Sequence, residues 1–215
     1  MFQRSFIAAA LWLLAAASPS LADDSLRRVR ITDSAASYNI ASSLSYMFEP
    51  TLDLGIKGIL DPENRARFKY DGRAIMTHGF NSSAIWAAFE LDNTSDERRW
   101  YLEFTYPLLD MVDVYMVTPD GRVHRYERVG DSAPFVRRQV QVPQLVVPLD
   151  VPTDSTVRIY FRVHTNGVYL SPITLHNAVS FMETLEEHQT RNGLYFGGLT
   201  ILALYNLLLF AYFRL

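Results

Sequence analysis

Cysteine is absent from this 215-residue chain, and several classes of protein are excluded with it. Zinc ribbons, disulfide frameworks, thiol nucleophiles and iron–sulfur clusters all need cysteine side chains. A basic excess is also lacking, because 20 Lys and Arg stand against 23 Asp and Glu. We therefore expect no nucleic-acid partner. The chain is 49% hydrophobic and only 20% charged, which excludes a disordered protein.

Catalytic and metal-binding motifs are missing as well. The chain contains no G-x-S-x-G, H-E-x-x-H, P-loop or G-x-G-x-x-G sequence. Asp110 and Asp113 are the closest pair of carboxylates on or beside a predicted strand, but a bare D-x-x-D has little specificity. No histidine pair has metal-ligand spacing among His78, His124, His164, His176 and His188. We expect no active site, metal or cofactor in this chain.

Residues 1–22 have the pattern of a secretory signal peptide. Arg4 gives the positive start, residues 6–17 are apolar, and Ser20 and Ala22 are small residues placed before a cleavage point at Asp23. An uncleaved anchor is the alternative, although the apolar run is short for a membrane span. Cleavage would export the mature chain.

Residues 193–213 contain no charged side chain. As a helix they would extend about 31 Å, which matches the hydrocarbon core of a bilayer. Tyr195 and Tyr212 fall near the two ends, where interfacial aromatics are common. A buried globular helix is the alternative, but so long an uncharged stretch favours a transmembrane helix. After export, Arg214 would lie on the cytoplasmic side of the membrane. In a Gram-negative bacterium, the preceding domain would then lie in the periplasm.

Two residues within the predicted span indicate packing against other helices. Asn206 carries an amide that is costly in hydrocarbon unless it is paired, and Gly197 offers a close-packing face. We expect this helix to be the first of a bundle, in a longer protein of which this chain is the N-terminal part. Residues 178–192 show helical spacing at Phe181 and Leu185, and no Pro or Gly separates them from Gly193. This linker helix would transmit movement or act as a passive stalk.

The region between the two ends, residues 23–177, is predicted to be an all-β domain. Apolar residues alternate with polar ones at period two, and Pro, Gly, Asn and Asp separate the runs. Seven to nine strands in an antiparallel, jelly-roll-like β-sandwich are expected. The predicted strands cover residues 85–91, 100–106, 111–117, 122–128, 145–149, 157–163 and 172–176, with weaker candidates at 31–40 and 66–70.

Aromatic side chains in this domain are the candidates for ligand binding. Flat rings on a sandwich can stack on sugars, whereas the alternative is that they fill the core. The candidates are Trp86, Trp100, Tyr106, Tyr126 and Tyr169.

Several segments resemble a known family. Residues 79–86 (GFNSSAIW) and, more strongly, 100–110 (WYLEFTYPLLD) resemble the type-2 extracellular domain of bacterial 7TMR-DISM receptors. These are seven-transmembrane receptors with diverse intracellular signalling modules. Residues 130–138 fit the middle loop of that domain. GLYFG at 193–197 and ALYNL at 203–207 resemble the start of the first membrane helix.

The resemblance implies a periplasmic sensor domain, similar to carbohydrate-binding modules, joined to a seven-helix bundle. The cytoplasmic output of such receptors is commonly a diguanylate cyclase, a histidine kinase or a phosphatase. We therefore expect a periplasmic sensory region that binds a carbohydrate, another ligand or a partner protein and is attached to the lipid bilayer by its helix. A homodimer is one open arrangement. The rival hypothesis is a single-pass tethered binding or scaffold protein without signalling output. A tethered enzyme is a third alternative.

Overall fold

The computed structural model describes residues 26–214, except residues 71, 74, 75 and 81. The signal peptide predicted for residues 1–22 lies outside the described residues. The described part contains three α-helices: α1 (Ile56–Ile59), α2 (Pro62–Arg65) and α3 (Ala178–Arg214). Its thirteen strands are β1 (Arg28–Ile31), β2 (Ser37–Asn39), β3 (Ser45–Glu49), β4 (Lys69–Tyr70), β5 (Met76–Phe80), β6 (Ala84–Asn93), β7 (Arg99–Phe104), β8 (Met111–Val117), β9 (Val123–Arg125), β10 (Leu145–Asp150), β11 (Ser155–His164), β12 (Val168–Ser171) and β13 (Ile173–His176).

Two main sheets form a sandwich. The larger sheet has the order β4-β3-β6-β11-β8-β9, with β1 beside β6, and the smaller has the order β10-β7-β13-β2. β12 and β5 form a separate antiparallel pair. The all-β, mainly antiparallel sandwich is confirmed. One pairing differs from the expectation, because β1 runs parallel to β6.

The core lies between the two sheets and follows from the period-two alternation of the strands. Every second residue of β6 enters it, as do Trp100, Leu102 and Phe104 of β7. Phe104 and Phe161 meet edge to face, with their ring centroids 5.3 Å apart. Such aromatic pairs contribute about 0.5–1.5 kcal/mol beyond the area they bury.

A second apolar layer covers the outer face of the larger sheet. The segment between β3 and β4, which carries α1 and α2, packs Ile59 and Phe68 against Trp86 and Tyr160. Phe68 and Tyr160 meet edge to face at 6.2 Å. Because of this layer both faces of β6 are buried over residues 84–89. The sequence did not predict the layer, because its apolar residues follow neither a clear strand nor a long helix pattern.

Strand boundaries show where the sequence analysis was right and wrong. The strand predicted at residues 111–117 coincides with β8. The single strand predicted at residues 31–40 is wrong, because β1 ends at Ile31 and β2 occupies only Ser37–Asn39. Tyr38 accepts a hydrogen bond from the Thr32 amide at 2.8 Å, which closes the turn between them. The count of seven to nine strands was too low, because the additional strands have two to five residues each, too few for alternation to appear.

The linker helix and the membrane helix predicted at residues 178–192 and 193–213 form one continuous helix, α3, of 37 residues. Its length is about 55 Å, longer than the hydrocarbon core of a bilayer. Its most apolar 18-residue window has a mean hydropathy of 1.8, and none of that window is buried. By length and composition α3 is a candidate membrane span.

Candidate functional site at the junction of the sandwich and the helix

Four of the five aromatic candidates are buried, three in the core between the sheets and Trp86 in the second apolar layer. Trp86, Trp100, Tyr126 and Tyr169 are at most 5% exposed, and Tyr106 is partly buried against the same core. None of the four buried rings offers a face to a ligand in this structure. Core packing, the alternative that the sequence left open, describes their positions. Ligand binding by the five aromatic candidates stays a prediction.

The indole N–H groups of the two buried tryptophans donate hydrogen bonds within the domain. The Trp86 indole N–H donates to the Glu49 carboxylate at 2.8 Å. The Trp100 indole N–H donates to the Glu97 carbonyl at 3.1 Å. Burial raises the pKa of the Tyr126 phenol to about 12. These contacts satisfy groups that would otherwise oppose burial, so they are explained by folding alone.

A cluster of polar side chains lies where β13 passes into α3. His176 is the last residue of β13 and is 7% exposed, and Glu103 of β7 is 4% exposed. His176 Nε2 lies 3.1 Å from Glu103 Oε2, and His176 Nδ1 lies 3.0 Å from Ser180 Oγ in the first turn of α3. The contact with Glu103 is short, but it is not a hydrogen bond. It becomes an ion pair whenever the imidazole is protonated.

The start of α3 is fixed by a helix cap. The Asn177 side-chain oxygen accepts the Ser180 amide at 2.9 Å, and the Asn177 carbonyl accepts the Phe181 amide at 3.0 Å. An N-cap side chain satisfies one of the amides that a helix start leaves without an intrahelical partner. Asn177 directly follows β13, so strand and helix are joined by a single capping residue.

An aromatic pair attaches the first turn of α3 to the smaller sheet. The rings of Tyr101 and Phe181 are nearly parallel, at 11°, with their centroids 4.5 Å apart. Tyr101 lies directly opposite His176 in the register of β7 and β13. Phe181 is only 4% exposed. The helix therefore packs on the outer face of the smaller sheet before it leaves the domain.

Tyr101, Glu103, His176, Ser180 and Phe181 form the junction between the smaller sheet and the first turn of α3. β13 is an inner strand of its sheet, paired with both β7 and β2. A shift of β13 relative to β7 would change the stacking and the His–Glu contact, and it would move the start of α3. Within the described part of the chain, no group of three or more His, Asp or Glu side chains is placed to hold a metal ion.

Sequence reasoning found only part of the junction. The helical spacing identified Phe181, but Glu103 and Ser180 gave no signal. Because the strand alternates with period two, the pattern predicts that Glu103 is an ordinary solvent-facing residue. Only the placement of α3 over that face of the sheet makes the carboxylate buried and gives His176 two polar neighbours.

Asn206 and Gly197 both lie on the exposed surface of α3. The Asn206 amide donates to the Leu202 carbonyl at 2.8 Å, one turn back in the same helix. A side chain added at Gly197 would meet no other atom within 4 Å. Packing of these two residues against other helices stays a prediction.

Comparison with known proteins agrees with the resemblance noted in the sequence. No protein of curated function matches the chain. Among solved structures, one similar chain is described as a novel family GH115 4-O-methyl-α-glucuronidase with specificity for decorated arabinogalactans. It is 14% identical with a TM-score of 0.33, over 68% of this chain and 18% of that enzyme. Residues 41–177, more than half of the chain, match the family model described as 7TMR-DISM extracellular 2. The chain therefore belongs to the 7TMR-DISM extracellular 2 family.

Proposed function

We propose that this chain is the periplasmic sensory region of a bacterial transmembrane signalling receptor. In this proposal α3 crosses the inner membrane, and the signal reaches a cytoplasmic output domain of the diguanylate cyclase or histidine kinase type. The family match over residues 41–177 supports a receptor sensor domain. The apolar composition of α3 supports a membrane span.

The observation that carries the proposal is the direct connection between β13 and α3. No loop separates them, and Asn177 caps the helix immediately after the strand. The Tyr101–Phe181 stack holds the first helical turn on the sheet. A passive stalk would need only a covalent link, whereas this contact makes the helix position depend on the sheet.

Signalling then requires two states of the junction. A ligand or partner that binds the sandwich shifts the equilibrium only if its affinity for the two states differs. Carbohydrate is one ligand class that the family resemblance suggests. The state in which Phe181 is stacked is favoured over the released state by the ring–ring contact, about 0.5–1.5 kcal/mol, in addition to the apolar area that the ring buries.

The test is the variant Phe181→Ala in the full-length receptor in its native membrane. Loss of a stack of that size changes the population of the two states by about two- to tenfold. Output is measured as cyclic di-GMP formation or autophosphorylation, whichever the cytoplasmic domain catalyses. Met182→Ala is the matched control, because Met182 is the next residue along α3 and its side chain is 55% exposed.

We expect an altered basal output for Phe181→Ala and an unchanged output for Met182→Ala, at equal amounts of protein in the membrane. Wild-type output from both variants would contradict the proposal. That result would favour the rival function, a membrane-tethered binding or scaffold protein whose helix is only an anchor.

A further inference from the structure

A cavity of about 520 Å³ lies beside the β8–β9 hairpin and the loop that follows β9. Three arginines line it, Arg125, Arg128 and Arg137, together with Tyr126, Glu127 and Ser132. Ligand pockets of proteins commonly enclose about 300–1,000 Å³, so the cavity has the size for a small molecule. Tyr126, one of the five aromatic candidates, also lines this cavity, although it is only 5% exposed.

Two of the three guanidinium groups are held in place by one buried carboxylate. Asp113 of β8 is 3% exposed. It accepts two parallel hydrogen bonds from Arg128, both at 2.9 Å, and one from Arg125 at 3.2 Å. A single carboxylate cannot neutralise both cations, so the pair keeps a positive charge. The two arginine side chains are 59% and 42% exposed and keep N–H groups that face away from Asp113.

The loop after β9 forms the opposite wall and is itself fixed. The amides of Asp131 and Ser132 donate to the carbonyls of Leu109 and Asp110 at 2.8 and 3.1 Å. Gly130 has a φ of 140°, and a Cβ added there would lie 2.3 Å from the Asp110 carbonyl oxygen. Only glycine allows this close approach of two backbone segments.

The end of the same loop presents the third arginine. Arg138 donates to the Gly130 carbonyl at 3.0 Å and to the Val142 carbonyl at 3.3 Å, which closes the loop on itself. The neighbouring Arg137 lines the cavity, and among the described residues its side chain has no ion pair or hydrogen bond. A rigid loop thus holds a cation that has no partner within the described chain.

We propose that this arginine pocket binds the carboxylate of a small organic acid that also carries hydroxyl groups. Guanidinium groups bind planar carboxylates through two parallel hydrogen bonds. Glu127 is exposed, accepts no hydrogen bond from the described residues and lies in the same cavity, where it can accept a hydroxyl of the ligand. The mixed charge disfavours a polyanion, because each further negative group would approach Glu127.

The inference rests on the proposed function for its meaning, since it names the ligand class of the sensor, but its test does not use the receptor's output. D-gluconate is titrated into the full chain in lipid nanodiscs by calorimetry. Sorbitol is the matched neutral compound, with a hydroxyl in place of the carboxylate. Inorganic phosphate is the second comparison, because it offers oxyanions without hydroxylated carbon.

Arg137→Gln is the informative variant, because its exposed side chain holds nothing else in the described structure. Loss of one charge-assisted contact should weaken gluconate binding about tenfold. Arg122→Gln is the control, since Arg122 lies in the same hairpin, is 86% exposed and does not line the cavity. It should leave gluconate binding unchanged.

The proposal is supported if gluconate binds, sorbitol does not bind and phosphate binds more weakly than gluconate. In addition, gluconate binding must fall in Arg137→Gln and not in Arg122→Gln. Absence of gluconate binding overturns it. Equal binding of sorbitol, stronger binding of phosphate, or equal weakening in both variants also overturns it. Any of these failures leaves the junction experiment standing, so the two proposals can fail separately.

Discussion

Replacing Glu49 with alanine should strongly destabilise the sandwich. Glu49 is fully buried at the end of β3. Its carboxylate accepts the Trp86 indole N–H and the Arg162 Nε–H, each at 2.8 Å, and also the Leu54 amide. Alanine removes the acceptor of all three donors at once, on the face of the larger sheet that the segment with α1 and α2 covers.

The expected loss is about 3–5 kcal/mol, because removing one partner of a buried ion pair leaves the other charge uncompensated. The Arg162 side chain is only 15% exposed, so water can replace little of that interaction. Folded domains have a free energy of unfolding of about 5–15 kcal/mol, so the variant should still fold. With a urea dependence of about 2 kcal/mol per molar, the urea midpoint should fall by about 2 M.

The assay is urea unfolding of the full chain in nanodiscs, followed by tryptophan fluorescence. Glu49→Gln keeps one acceptor oxygen and should lie between wild type and Glu49→Ala. Glu63→Ala on exposed α2 is the matched control and should change stability by less than about 0.5 kcal/mol. A loss below about 1 kcal/mol for Glu49→Ala, or no difference from Glu63→Ala, would refute the role assigned to this buried carboxylate.

Three further predictions use the same unfolding assay. Gly130→Ala should lower the free energy of unfolding by about 1–3 kcal/mol, because the φ of 140° and the 2.3 Å approach to the Asp110 carbonyl oxygen both exclude a Cβ. An unchanged free energy of unfolding would contradict this. Asn177→Ala should lower the free energy of unfolding by about 1 kcal/mol, because the side-chain cap of α3 is lost, whereas Asn177→Asp should keep the cap and the stability. The Tyr126 pKa of about 12 exceeds the usual 10, so stability is complete below about pH 10 and falls as pH rises towards 12. Near pH 11 this loss is about 1.4 kcal/mol and should be absent from Tyr126→Phe; equal alkaline loss in both would be the contrary result.

The sequence predicted the parts of the fold whose signal is local. The alternation in residues 111–117 fixes β8 because every second side chain must enter the core. The uncharged run at residues 193–213 predicts a long helix regardless of its neighbours. The short strands β3, β5 and β12 and the layer formed by α1 and α2 were missed, because four or five residues carry too little pattern to distinguish them from loops.

The aromatic residues show the limit of local reasoning about a site. The residues around a tryptophan on a strand do not indicate whether its ring is exposed or covered. The sequence therefore left ligand binding and core packing as alternatives. Trp86 is on the face of β6 opposite the main core, yet it is fully buried, because the segment between β3 and β4 folds over it. The residues next to Trp86 in the sequence give no indication that another segment covers its ring.

By itself the sequence determined the family, the all-β domain and the apolar helix, because motifs and periodicity are properties of consecutive residues. Only the tertiary structure decided which polar groups meet. Glu103 and His176 lie on neighbouring strands 73 positions apart in numbering, and their contact exists because β7 and β13 pair and α3 covers both. The arginine pocket likewise needs Asp113 and the loop after β9 to converge. Such contacts depend on sheet order and packing, which local propensity does not encode.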